Sequence, residues 1–155
     1  MSMIELYDTT LRDGAQYEGI SFSVEDKLAI TKTLDDLGVH FVEGGWPGSN
    51  PKDAIFFERV RDLDLENTTI TAFGSTRKAN VDVANDPQIQ SLISANTEVI
   101  TLVGKMWDLH VAQVLETTLE ENLDMVSDSI SHILSEGRRV FFDAEHFFDG
   151  FKANK

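Results

Sequence analysis

The chain contains no cysteine, three prolines, and only 13 lysines and arginines against 27 aspartates and glutamates. Each shortage closes off a class of function. Without cysteine there is no disulfide scaffold and no thiolate-ligated metal site. A formal net charge of −14, with no local Lys/Arg cluster, repels nucleic-acid phosphates. The acidity itself reads as solubility. No segment approaches the roughly 20 apolar residues of a spanning helix. The start, Met1-Ser2-Met3-Ile4-Glu5, has neither a basic region nor an apolar run of signal-peptide length. The expectation is a soluble, cytoplasmic protein with no nucleic-acid and no membrane partner. Familiar catalytic motifs are missing too. Gly104-Lys105 lacks the flanking residues of a phosphate loop, and Gly44-Gly45-Trp46-Pro47-Gly48 does not make the dinucleotide fingerprint. There is no Gly-x-Ser-x-Gly elbow. His40, His110, His132 and His146 form neither a His-x-His nor an HExxH pattern.

What is present is a regular alternation. The 155 residues, 41% hydrophobic and 26% charged, suffice for one domain with a core. Five short runs rich in β-branched or aromatic residues read as strands: Met3–Tyr7, Val39–Glu43, Thr69–Phe73, Val99–Val103 and Val140–Ala144. Amphipathic stretches separate them. Ser23-Val24-Glu25-Asp26 has the form of a capping box, and Val24, Leu28, Thr31, Leu34 and Leu37 follow at helical spacing up to Gly38. Asn50-Pro51 opens a helix through Ile55, Phe56 and Val60, and Asp86-Pro87 opens another. After Thr117 and Thr118, Leu119, Leu123, Val126, Ile130 and Ile133 trace one stripe that ends at Gly137. The order β-α-β-α-β-α-β-α-β implies parallel strands with right-handed crossovers. An open doubly wound sheet and a segment of a (β/α)8 barrel both fit this pattern, although the absent nucleotide motifs weigh against the first.

In either architecture, ligands sit beyond the C-terminal ends of the strands. The polar residues gather there. Arg12-Asp13 follows the first strand, and a carboxylate beside a guanidinium can share a divalent metal and an oxyanion. From chemistry alone the commoner role of such a pair is a local salt bridge or turn cap, since Asp and Arg are common in turns. Glu145, next to His146, is a second carboxylate on that face, and an exposed loop acid is the alternative.

Asp8-Thr9-Thr10-Leu11-Arg12-Asp13-Gly14, directly after the first strand, resembles the signature of the DRE-type TIM-barrel metallolyases. That family includes citramalate, 2-isopropylmalate and homocitrate synthases and hydroxymethylglutaryl-CoA lyase. The stretches Glu43–Asp53, Ala72–Arg77, Trp107–Val111 and Phe142–Gly150 are similar to the citramalate-synthase branch, so the likeness covers essentially the whole chain. Ala15-Gln16 replaces the Glu-Gln usual in isopropylmalate and homocitrate synthases. The resemblance implies a parallel α/β fold, a partial (β/α)8 TIM barrel of about five strands and four helical units. It implies Claisen condensation of acetyl-CoA with pyruvate or another 2-oxoacid in branched-chain amino-acid biosynthesis. It assigns Asp13 to a divalent metal (Mg, Mn or Zn), and Arg12 and Glu145 to catalysis. Gln16 and Glu43 fall on the substrate side, Glu43 as a possible support for Arg12. A 2-isopropylmalate synthase and a non-catalytic half-barrel are the competing readings.

The family barrel needs eight units. Residues 1–155 are therefore expected to form its N-terminal part, without the later histidine pair and without activity alone. Exposed sheet edges predict self-association, as a homodimer.

Overall fold

The computed structural model describes residues 4–155. Its sheet contains β1 (Tyr7–Asp8), β2 (Phe41–Gly45), β3 (Thr69–Ser75), β4 (Val99–Lys105) and β5 (Arg139–Glu145). All neighbours are parallel, and the spatial order is the sequence order. Four helices make the crossovers: α1 (Val24–Asp36), α2 (Pro51–Arg59), α3 (Pro87–Ser94) and α5 (Leu119–Ser135). Two short helices that the sequence pattern did not reveal, α4 (Asp108–Gln113) and α6 (Phe147–Ala153), follow the ends of β4 and β5.

The strand order already favours a barrel over a doubly wound sheet, whose order reverses at a switch point. Curvature decides it. In a flat sheet the first and fifth strands would lie roughly 19 Å apart, four inter-strand spacings. Here the rings of Tyr7 on β1 and Phe141 on β5 have centroids 5.7 Å apart, and Phe41 meets Phe141 at 5.0 Å. The five strands therefore curl into half of a barrel wall whose inner side chains meet across the axis.

Alternation divides the side chains between two environments. Val42, Ala72, Ile100 and Leu102 face the helices, where they pack with Phe56, Phe57, Leu92 and Ile133. Their neighbours Tyr7, Glu43, Thr71 and Thr101 meet on the inner side.

Most helix boundaries follow the capping chemistry. Ser23 and Asp26 complete a reciprocal box, and Asn50, Asp86 and Thr118 cap α2, α3 and α5. Gly38 and Gly137 take the positive φ of helix exits. Several expectations need correction. Met3 lies outside the described residues, and β1 begins only at Tyr7, with Ile4 and Leu6 exposed. β2 starts two residues late, because Val39 N–H still bonds back to Leu34. Leu37, expected on the buried stripe of α1, is 72% exposed, while Lys27 and Asp35 are buried. Ile55 points outward from α2. On α5 the buried line is Asn122, Met125, Ser129 and Ile133, leaving Leu119 and Leu123 exposed. On the helices, buried polar side chains with specific partners (Lys27, Asp35, Asp53, Asn122 and Ser129) take places on the interior line.

Asp35 illustrates the cost and the return. Its carboxylate accepts backbone N–H bonds from Glu66, Asn67 and Thr68 and an ion pair from Lys32, tying α1 to the approach of β3. The Asn67 N–H, then Lys32 and the other two amides, hold the carboxyl well below the usual carboxylate range. A depressed folded pKa adds stability that is fully present above the unfolded value of about 4 and is lost as pH falls below it. Asp35→Asn should therefore lower the melting temperature by several degrees near neutral pH. The gap to wild type should narrow at about pH 3. Thermal scans at both pH values check this, and a pH-independent gap contradicts it.

Candidate active site

The mouth of the half-barrel is built on a buried carboxylate. Glu43, on β2, is 1% exposed, a burial that is tolerable for a charge only with partners. One oxygen accepts from Arg12 Nε. The other accepts from the Tyr7 hydroxyl at 2.6 Å. That hydroxyl also hydrogen-bonds Thr71 and Thr101, at 2.9 and 2.6 Å, so four strands converge on one phenol. Burial, then the hydrogen bond to Glu43, pushes the Tyr7 hydroxyl far above its ordinary pKa, and it remains a donor.

Arg12 is thereby fixed from below. From the side, its guanidinium carbon lies 3.8 Å from the centre of the Phe73 ring, a cation–π contact. Phe73 is in turn edge-packed by Trp46. Arg12 Nη1 also reaches Asp13, at 3.2 Å. The local chain is shaped for this. Asp8 accepts from Thr10 N–H, the Thr9 carbonyl accepts from Arg12 and Gly14 N–H, and a 3-10 turn carries Gly14–Gln16 outward.

A second buried pair holds the β2 exit. Lys27 donates to Asp53 and to the Gly44 carbonyl, and Asp53 accepts from Trp46 N–H. The register slips between Glu43 and Gly45, a bulge that turns Trp46 toward the mouth. Gly45 has φ of 144°, and a Cβ there would collide with the Asp53 carboxylate.

These elements enclose a cavity of about 510 Å3 lined by Arg12, Asp13, Gln16, Trp46, Phe73, Ser75, Thr76, Val103, Lys105, Leu115, Asp143 and Glu145. Four of the five expected site residues, Arg12, Asp13, Gln16 and Glu145, line it together. Glu43 does not; it lies beneath Arg12 and faces protein on both oxygens. A smaller cavity of about 230 Å3 adjoins, sharing Arg12, Gln16 and Trp46 with the first. His146 turns away from the mouth, with φ of 58°, to pack on His110 and bond Asp149.

Whether these residues could hold a divalent metal is a question of ligand number. Asp13 is 63% exposed at its side chain, with one oxygen already on Arg12. Among the described residues no group of three or more His, Asp or Glu side chains is arranged to hold an ion. Asp13 supplies one oxygen ligand where a hard cation needs several, so these residues do not by themselves fit the metal.

In the sequence Lys105 stands out only as part of a failed phosphate loop, not as a partner of Glu145. It ends β4 opposite Glu145 and forms an ion pair with it. Placing the last residue of each strand side by side would have found it. Phe73 and Tyr7 carry a parity signal, since both fall on the inward set of their strands.

Comparison with known proteins gives the following. The model of the HMGL-like family matches residues 3–152. The chain is 54% identical over 151 residues to an (R)-citramalate synthase of Aquifex aeolicus, covering 97% of this chain and 29% of that protein. It is 56% identical over 150 residues to one of Streptomyces coelicolor, covering 96% and 28%. A 2-isopropylmalate synthase of Streptococcus gallolyticus is 32% identical over 145 residues, covering 94% and 27%. The chain thus spans less than a third of the length of each of these three relatives. The crystal structure of hydroxymethylglutaryl-CoA lyase from Pseudomonas aeruginosa superposes with a TM-score of 0.66 at 16% identity, over 90% of this chain and 45% of that one, a likeness of fold.

Removing the phenol donor tests the base of the site. Tyr7→Phe leaves Glu43 short of a partner and should destabilise the chain by about 1–3 kcal/mol. Chemical denaturation measures this, and an unchanged midpoint would mean that the four-strand convergence carries no weight.

Proposed function

The chain belongs to the HMGL-like family, and on that premise we propose that the protein carrying it condenses acetyl-CoA with pyruvate to give citramalate and CoA. The observation that carries the reading is the immobilised Arg12 facing Glu145 across one cavity. Residues 1–155 form the N-terminal part of the catalytic barrel in this reading, and the setting is cytoplasmic branched-chain amino-acid biosynthesis, toward isoleucine.

The chemistry follows from what the side chains can do. Glu145, in its carboxylate form, takes a proton from the methyl group of the thioester. The enolate carbon forms a bond to the keto carbon of the 2-oxoacid. The carbonyl π pair moves onto oxygen as an alkoxide, which takes the proton held by Glu145 and restores its carboxylate. The guanidinium of Arg12 meets the oxygen on which negative charge develops. Being clamped by Glu43 and Phe73, it needs no reorganisation as that charge appears. Water then cleaves the thioester and releases the CoA thiol. Gln16 orients the oxoacid, and Phe73, Val103 and Leu115 supply the apolar wall for its alkyl group. Glu43 acts through Arg12. No step here runs through a metal, for which Asp13 offers a single ligand.

Relatives at 54–56% identity carry the name (R)-citramalate synthase, against 32% for a 2-isopropylmalate synthase. The intact protein should therefore release CoA with pyruvate at least about tenfold faster, in kcat/KM, than with 2-oxoisovalerate. Arg12→Lys should remove most of that activity. The 155-residue chain alone should release none. Preference for 2-oxoisovalerate would move the assignment to the isopropylmalate branch, and no condensation with either oxoacid would leave a binding module.

β1 and β5 are the two edges of the sheet, and Phe147, Phe148 and Phe151 of α6 are exposed. Unpaired edges beside apolar surface favour association with a second copy. Light scattering at micromolar concentration should give a mass above the monomer's, and a monomeric mass contradicts it.

A further inference from the structure

Glu145 is held by a single side chain. Among the described residues, Lys105 alone donates to its carboxylate, reaching Oε2 and leaving Oε1 to the cavity. Lys105 in turn makes no other side-chain contact of hydrogen-bond length among those residues. Its backbone, however, is pinned. The Lys105 carbonyl accepts from Nδ2 of Asn122, at 3.0 Å, and Asn122 is buried on α5. The Met106 N–H closes the strand end by donating to the Glu145 carbonyl, also at 3.0 Å. Gly104, just before, lies under the Phe142 ring, whose edge would be 2.7 Å from an added Cβ, so a larger residue would force that ring to shift. A rigid strand end therefore presents the ammonium from directly opposite Glu145 in the register.

A glutamate rotates about three side-chain bonds and loses that freedom only if something holds its end. We propose that Lys105 is a positioning residue for Glu145, anchoring one carboxylate oxygen so that the other points at the proton it removes. The inference rests on the acid–base role given to Glu145 above. It differs from a role as receptor for the carboxylate of the oxoacid, because the ammonium is already occupied by Glu145.

Two measurements separate the possibilities. In the intact protein, Lys105→Met should lower kcat by about 10- to 100-fold while KM for pyruvate changes by less than about twofold. Lys105→Arg should recover most of kcat. In a Glu145→Gln background, Lys105→Met should add less than about a twofold loss, since its effect passes through Glu145. A raised KM with unchanged kcat, or no change, overturns the proposal. The second measurement needs no activity. In this chain, the 13C signal of the Glu145 side-chain carboxyl should move on Lys105→Met and stay in place on Lys78→Met, a change at an exposed lysine that does not line the cavity. If the intact protein condenses nothing, the functional reading fails, and the carboxyl signal still decides the contact. An unmoved signal overturns the positioning role under either outcome.

Discussion

A carboxylate with almost no access to water stands at the centre of this half-barrel, and much of the inner architecture follows from the need to satisfy it. Glu43 requires a cation and at least one neutral donor. Arg12 and Tyr7 supply them. Because Tyr7 also engages Thr71 and Thr101, that requirement links β1, β2, β3 and β4. The direction of Arg12 follows, with Phe73 closing the remaining side. The desolvation cost of one buried charge is thus offset by an arrangement that also fixes Arg12 at the mouth.

The same logic recurs at the exit of β2. Lys27 and Asp53 come from α1 and α2, both buried, and their pairing satisfies the Gly44 carbonyl and the Trp46 N–H at an irregular point in the sheet. The bulge is stable because its loose backbone groups have partners. Salt bridges on the outer surface, such as Arg59 with Glu25, carry no comparable structural burden.

Much of this was legible in the residues, for identifiable reasons. Capping pairs such as Ser23 with Asp26, and Asn50-Pro51, act over three or four positions, so they can be read locally. The strand-helix alternation needs no knowledge of distant partners. The mouth residues Arg12, Asp13, Gln16 and Glu145 fall at strand ends, where the fold brings chemistry together. What could not be read depends on partners far along the chain. Lys27 and Asp35 look like solvent-facing charges until Asp53 and the amides of residues 66–68 are brought beside them, and Leu37 looks buried until they are. Glu43 looked like a residue of the mouth from its place at a strand end; its support of Arg12 came only from the family likeness, because that contact is invisible in local pattern. Helix α6 went unseen because seven residues carry too little periodicity.

The alternation along β4 has a consequence for how such a protein can change. Ile100, Leu102 and Gly104 look toward the helices, whereas Thr101, Val103 and Lys105 look inward. The first set packs the wall against the helices, while of the second Val103 and Lys105 line the mouth and Thr101 is tied to Tyr7. Substitutions on the two sets are therefore screened by different demands. A lineage can trade the inward residues that line the cavity, Val103 and Lys105, while the outward ones keep the scaffold intact. Evolvability, on this wall, is a matter of odd and even positions.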